Sequence, residues 1–70
     1  MTDRLSVRQL QMLMFLADGL TDAEIARTAN IGIATVHRHV LDLRTKLGGR
    51  NRTHVVSIAY RRGLLAREEV

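Results

Sequence analysis

The spacing of the residues that end helices constrains this chain more than any other feature. The 70 residues contain no proline, and stretches with helical apolar periodicity end at Gly19, Asn30, Gly48 and Gly63. Glycine and asparagine readily adopt the left-handed backbone conformation in which many helices end. Four such stops at these intervals predict four short helices and an all-α fold.

The starts of the first two helices are marked as well. Ser6 stands three residues before Gln9, and Thr21 stands three residues before Glu24. Each pair fits a capping box, in which two side chains satisfy free N–H groups at a helix start. Starts and stops together predict helices at residues 7–17, 22–29, 33 or 34 to 47, and 52 or 53 to 62. The last five residues, 66–70, are expected to fray.

Apolar residues recur every three or four positions, which is the spacing of a helix face that packs on a core. The predicted core-facing residues of helix one are Leu10, Leu13, Met14 and Ala17, and Met12, Phe15 and Leu16 widen that face. In helix three they are Val36, Val40, Leu43 and Leu47. An apolar content of 46% is enough for one small core. We therefore expect a single domain over residues 1–70, with its core at about residues 5–65.

The charge of the chain favours a polyanionic partner. Eleven Lys and Arg residues against seven Asp and Glu give a formal net charge of +4, and Lys46 is the one lysine. Arginine suits bidentate contacts with phosphate and with guanine edges. Nucleic acid is therefore the favoured partner, although the positive charge of a small protein can also serve its solubility alone.

The sequence argues against several other classes of protein. It has no cysteine, so it offers neither a disulfide nor thiolate chemistry, which fits the cytoplasm. No apolar run is long enough to span a bilayer, and the N-terminus does not resemble a signal peptide. The chain has no Ser-His-Asp set at a plausible spacing, no glycine-rich phosphate loop and no paired carboxylates in an apolar setting, so we expect no enzyme activity and no cofactor.

The second and third predicted helices have the plan of a helix-turn-helix. The connection from Ala29 to Ala34 is short, and helix three is longer and basic on its outer face. A B-DNA major groove about 12 Å wide admits one α-helix. Such a helix must bury one stripe of side chains against its own domain and present the opposite stripe outward. The N-terminal half of helix three would present His37 and Arg38. The predicted partner is double-stranded DNA.

Short motifs in order along the chain resemble the LuxR-type (GerE-like) helix-turn-helix domain. The matching segments are Leu5-Ser6 with Arg8 and Leu13, Gly19-Leu20-Thr21, Glu24-Ile25-Ala26, Thr35-Val36, His39-Val40, Lys46-Leu47-Gly48, Arg50-Asn51-Arg52-Thr53 and Arg61-Arg62-Gly63-Leu64. No single segment is decisive, but the set in this order is highly specific. The resemblance implies a sequence-specific transcriptional regulator that places helix three in the major groove and forms a homodimer through helix four.

The resemblance and the outer face of helix three together give a set of site residues. The predicted DNA-binding residues are Thr35, His37, Arg38, Leu41, Arg44, Lys46 and Arg52. Among them, the resemblance implies base-facing positions for His37, Arg38 and Leu41, and phosphate-side positions for Thr35 and Lys46. The predicted dimer contacts, on the outward side of helix four, are Val55, Ile58 and Arg62.

Several of these residues also have a purely structural interpretation. Arg44 and Lys46 lie near the end of helix three, where cations complement the helix dipole. Thr35 suits a second N-cap, and His39 lies near the core stripe, where packed histidines are common. His37 and His39 are two residues apart on a helix, so their side chains point to different sides and predict no metal site.

Three positions depart from the family pattern. Val7 stands where proline is usual, so helix one lacks a preorganised first turn. Gly32 replaces Ser or Thr before helix three, which weakens that N-cap by about a few tenths of a kcal/mol. Leu41 stands where many members carry a polar or basic residue. Leucine cannot hydrogen-bond a base edge, but it can touch a thymine methyl.

Two other functions stay open at this stage. A sigma-factor-like domain that reads a promoter and joins RNA polymerase uses a similar helix-turn-helix, although Lys46-Leu47-Gly48 followed by Asn51-Arg52-Thr53 argues against it. A protein-interaction module with this fold would bind another regulator without DNA, which the apolar helix one and Leu41 favour. Because Met1 precedes helix one by a few residues, we expect a free-standing domain. The alternative is an excised C-terminal domain.

Overall fold

The computed structural model describes residues 5–66. These residues form four helices, α1 (Val7–Ala17), α2 (Asp22–Ala29), α3 (Ile33–Leu47) and α4 (Arg52–Arg61), and no strand among them. The all-α prediction is confirmed, and the predicted bounds hold to within one residue. Arg62 is the C-cap of α4 and not its last helical residue. Residues 67–70, for which fraying was predicted, lie outside the described part.

Both predicted capping boxes are present. The Ser6 Oγ accepts a hydrogen bond from the Gln9 N–H (3.0 Å), while the Gln9 Oε1 accepts one from the Ser6 N–H (2.9 Å). The same exchange joins Thr21 and Glu24, at 3.2 Å and 2.8 Å. Each box orders the first turn of its helix and contributes on the order of 1 kcal/mol to stability.

The second capping box affects the acidity of Glu24. The Thr21 N–H donates to the Glu24 carboxylate and lowers its pKa, and the Thr21 hydroxyl lowers it further. Desolvation acts in the opposite direction, and the charge of Arg27 makes the least contribution to the lowering. The charged form of Glu24 is therefore the one that the folded state favours.

All four predicted helix stops have left-handed backbone. Gly19, Gly48 and Gly63 have φ values of 81°, 79° and 76°, and Asn30 has 58°. Asn30 is the only non-glycine residue with positive φ among residues 5–66. It ends α2 and lets the chain turn at once into α3, because the N–H of Ile31 donates to the carbonyl of Ala26.

The core is formed by apolar residues from all four helices. Its buried members are Met12, Leu13, Leu16, Ile25, Val36, Val40, Leu43, Leu47, Val55 and Ala59. The predicted stripe of α3 is confirmed, since all four of its residues are buried. Because α3 packs against each of the other three helices, it is the central element of the fold.

The buried face of α1 is shifted relative to the predicted stripe. Leu13 is buried as predicted, and Met12 and Leu16, at the predicted edge of the face, are buried with it. Met14, from the predicted stripe, is instead 56% exposed, and Leu10 is half-buried. The helix is apolar on nearly every side, so periodicity alone could not select a face. Gln9 is 8% exposed, and its spacing to Met12, Leu13 and Leu16 marks the side that packs inward.

The prediction that Val55 faces outward from α4 is wrong. Its side chain has no exposed surface, and it packs in the core one turn before Ala59. The loop between α3 and α4 covers it, because a Cβ atom at Gly49 would collide with the Val55 Cγ2. A residue this deeply buried cannot contact a second copy in this conformation.

Candidate nucleic-acid interface

The outer face of α3 is open to solvent for the whole length of the helix. Gly32 is the N-cap, makes no side-chain hydrogen bond, and leaves the first turn of α3 uncovered. The prediction of Thr35 as a further N-cap is wrong, because Thr35 lies inside the helix. The exposed residues on this face include Ala34, Arg38, Leu41 and Thr45. Their spacing of three or four residues makes one continuous stripe opposite the core.

Leu41 is the apolar member of this stripe. Its side chain is 57% exposed, although leucine is usually buried. Leu41 lies one turn beyond His37 and borders a shallow depression of about 340 Å³. The other residues that line this depression are Asp22, His37, Val40, Arg44 and Arg52. The tertiary structure thus gathers four of the predicted DNA-binding residues around one concave surface.

Asp22 joins two of these residues and was not among the predicted site residues. Its Oδ2 lies 2.7 Å from the Nε2 of His37, and its Oδ1 lies 2.8 Å from a terminal guanidinium nitrogen of Arg52. The contacts link residues 15 and 30 positions apart, so no local pattern could have found them.

Arg44 faces the protein more than the prediction assumed. It is half-buried, and its guanidinium donates to the carbonyl of Arg50 at 2.7 Å. Its Nε is buried and has no hydrogen-bond partner among the described atoms. Arg44 therefore orders the loop between α3 and α4. This contact supports the structural interpretation of Arg44.

The same loop is held by the start of α4. The Asn51 Oδ1 accepts a hydrogen bond from the His54 N–H (2.9 Å) and caps the helix. The His54 Nδ1 accepts one from the Arg50 N–H (3.0 Å). These bonds fix where α4 begins and so fix the position of Arg52 beside Asp22.

The two predicted phosphate-side residues of α3, Thr35 and Lys46, lie on one flank of the helix. They are eleven residues apart, which is close to three full turns, and both are exposed. The Lys46 Nζ donates to the Oε1 of Gln9 at 3.1 Å. This contact ties the end of α3 to the capping box of α1, so Lys46 has a structural role beside any role on DNA.

The remaining predicted dimer residues lie near the end of α4. Ile58 is half-buried against the core, and Arg62 is exposed. An apolar groove of about 560 Å³ runs between α1 and the end of α4. It is lined by Leu10, Met14, Ala17, Asp18, Tyr60, Leu64, Leu65 and Ala66.

Comparison with known proteins gives the family. The model of the luxR family of bacterial regulatory proteins matches residues 3–59, which is most of the chain. The chain belongs to this family. Its four helices and their order agree with a LuxR-type helix-turn-helix domain, so the predicted resemblance is confirmed.

Relatives of this luxR-family domain are longer regulators. The response regulator protein VraR of Staphylococcus aureus and that of Staphylococcus epidermidis are each 33% identical over 63 residues, or 90% of this chain and 30% of the relative. The response regulator ChrA of a heme-sensing two-component system has a TM-score of 0.86 at 34% identity, over 89% of this chain and 31% of that one.

A second similar structure is that of VqmA from Vibrio cholera in a complex with ligand and DNA. Its TM-score is 0.83 at 31% identity, over 91% of this chain and 28% of that one. The luxR-family chain described here therefore spans 28–31% of the length of these proteins. VraR and ChrA are response regulators, and the luxR family is one of DNA-binding regulatory domains and not a class of enzymes.

Two further observations concern the described part of this luxR-family domain. No group of three or more His, Cys, Asp or Glu residues in it has an arrangement that suits a metal ion. Within residues 5–66, no helix has the length and apolar character needed to cross a membrane. The longest helix, α3, has 15 residues.

Proposed function

We propose that this domain is the sequence-specific DNA-binding part of a cytoplasmic transcriptional regulator, and that α3 enters the major groove of double-stranded DNA. The observation that carries the proposal is the packing of α3. Three helices hold its inner stripe, while its outer stripe is exposed from Ala34 to Thr45. A helix that reads DNA needs both properties, since it must be rigid and yet reach into a groove about 12 Å wide.

The side chains on the outer stripe suit base edges. Arg38 lies at the middle of the stripe, and arginine donates two hydrogen bonds to guanine O6 and N7. Leu41 follows it and offers an apolar surface for a thymine methyl. His37 lies beside both, at the rim of the depression. We propose these three as the base-contacting residues.

Phosphate contacts are proposed on either side of the groove. Thr35 and Lys46 lie on one flank of α3, and Arg52 lies on the other, at the start of α4. Phosphate contacts fix the register of the protein on the duplex without reading its sequence. Arg44 contributes through the loop that it orders, and the net charge of +4 attracts the duplex from a distance.

We further propose that two copies bind one symmetric site. Ile58 and Arg62 are the remaining contacts proposed for α4, because Val55 is buried. A single module covers only a short half-site, so a homodimer would about double the contact area.

The apolar groove between α1 and α4 favours a second candidate function. Met14 is 56% exposed at its edge, on a surface away from α3. An exposed apolar groove suits a protein partner such as another regulator or RNA polymerase. Binding of that partner without DNA would make the domain a protein-interaction module.

Fluorescence anisotropy with labelled duplex DNA over a salt series tests the proposal. We expect binding that weakens with salt, with a slope in log K against log salt of about 0.9 for each phosphate neutralised. The variant Arg38→Ala should bind its preferred duplex about ten-fold or more weakly, because a bidentate base contact discriminates by about 1–3 kcal/mol.

Arg61→Ala is the matched control, since Arg61 is exposed at the far end of α4 from Arg52. It removes the same charge and should change binding much less. Failure of the wild-type domain to bind any duplex at about 50 mM salt, where phosphate contacts are strongest, would rule out the DNA proposal. Capture of a protein partner that is insensitive to Arg38→Ala would then support the second candidate.

A further inference from the structure

One carboxylate joins three helices on the surface proposed to bind DNA. Asp22 is the first residue of α2, His37 lies in the second turn of α3, and Arg52 is the first residue of α4. The Asp22 side chain is 18% exposed, against 60% for His37 and 43% for Arg52. The acid is thus the inner, better-shielded partner, and the two basic side chains lie outside it.

Capping of α2 does not account for this arrangement. Thr21, and not Asp22, caps α2. The Asp22 Oδ1 is buried yet accepts no hydrogen bond of good geometry from the described atoms, so its contact with Arg52 is mainly Coulombic. Ion pairs with partners this exposed contribute little to stability. An acid beside a polyanion also repels it, so its position on this face calls for a functional reason.

We propose that Asp22 is a positioning residue for DNA recognition, which holds His37 and Arg52 in fixed directions before the duplex arrives. This inference rests on the proposed function above. A side chain that is already held in place loses less conformational entropy when it contacts its target base. The correct DNA sequence therefore gains more binding free energy than an incorrect one.

Asp22 acts differently on its two partners. It restricts the ring of His37 at the rim of the depression, beside Leu41, and so sets which ring atoms are turned towards a base. It offsets the charge of Arg52 until a phosphate on a well-seated duplex competes for the guanidinium. The expected consequence is weaker binding to arbitrary DNA and stronger discrimination between sequences.

The experiment begins with selection of a preferred duplex from a random DNA pool by the wild-type chain. Anisotropy then gives the affinity of each variant for that duplex and for a scrambled duplex of the same composition. The first variant is Asp22→Asn. Its matched control is Asp18→Asn, which removes the same charge at the C-cap of α1, in a groove that contains no α3 residue.

For Asp22→Asn we expect tighter binding to the scrambled duplex and a several-fold loss of discrimination. The salt slope on the scrambled duplex should steepen by up to about 0.9, since Arg52 is free to neutralise one more phosphate. The base pairs at which Asp22→Asn loses discrimination should be the same ones at which His37→Ala loses it. Asp18→Asn should leave the ratio of the two affinities unchanged.

A second variant, Asp22→Glu, separates positioning from charge. It keeps the negative charge but moves the carboxylate by one methylene, so discrimination should fall while the affinity for scrambled DNA stays near the wild-type value. If both variants discriminate between the two duplexes as well as the wild type does, and the wild type binds DNA, the role of Asp22 is refuted. The proposed function would then still stand. A wild-type chain that binds no duplex would refute the proposed function and the inference with it.

Discussion

Replacing Val55 with alanine removes two methyl groups from a side chain that has no exposed surface. Their lost burial is worth about 1.6 kcal/mol at roughly 0.8 kcal/mol per buried carbon. The cavity that remains adds to this, so we expect a total loss of about 2–3 kcal/mol. For a 70-residue domain, whose whole stability is on the order of 4–10 kcal/mol, that is a large fraction.

Thermal unfolding followed by circular dichroism measures this loss. In a domain of this size each kcal/mol lowers Tm by about 4–8 °C, so Val55→Ala should lower it by roughly 10–20 °C. The shift should not depend on protein concentration, because the side chain packs within one copy. Val7→Ala is the matched control, since it makes the same chemical change at a residue that is 84% exposed at the start of α1. Its effect should stay within about 0.5 kcal/mol.

The reasoning fails if Val55→Ala unfolds at the wild-type temperature. It also fails if the loss of stability appears only at concentrations where dimers dissociate. The first result would mean that Val55 is not packed in the core, and the second that it lies at an interface between copies, as its sequence position first indicated. In both cases the packing of α4 on α3 would be different from the one described.

Two further changes test the loop and the cap. Gly49→Ala should destabilise the domain by about 1–3 kcal/mol in urea unfolding, because the added Cβ would collide with Val55. An unchanged urea midpoint would show that the loop can move aside at no cost. The pKa of Glu24 is lower in the folded state than in the unfolded state. The charged carboxylate therefore stabilises the fold at pH values above its ordinary pKa, and this contribution disappears as the pH falls through the lowered pKa. Urea midpoints over a pH series should therefore show wild type losing its advantage over Glu24→Gln in acid, and a constant difference at all pH values would contradict this assignment.

Much of the fold could be predicted because its signals are local. A capping box needs only two residues three apart, and a left-handed stop needs only a glycine or asparagine, so Ser6 with Gln9 and the turn at Asn30 were readable in the sequence. The stripe of α3 was readable for the same reason, since polar residues separate its apolar positions. The family resemblance rests on motifs of the same local kind.

The candidate site could be predicted only in part. Positions along α3 gave the outer stripe, including Arg38 and Leu41, because one buried face defines the opposite exposed face. The roles of these residues on DNA stay a prediction. The contacts of Arg44 with the loop and of Lys46 with Gln9 could not be predicted, since each joins segments whose relative placement is set by packing.

The number of helices, their ends, the all-α class and the family follow from local sequence signals, because backbone conformation and capping depend on neighbours in the chain. Other features depend on how the helices pack: which face of α1 is buried, the place of Val55 in the core, and the contacts of Asp22 with His37 and Arg52. One explanation covers all three. When a helix is apolar on several sides, close packing of distant segments selects the face that is buried, and the same packing selects the partner of a charged side chain. The periodicity of the sequence carries no information about that packing.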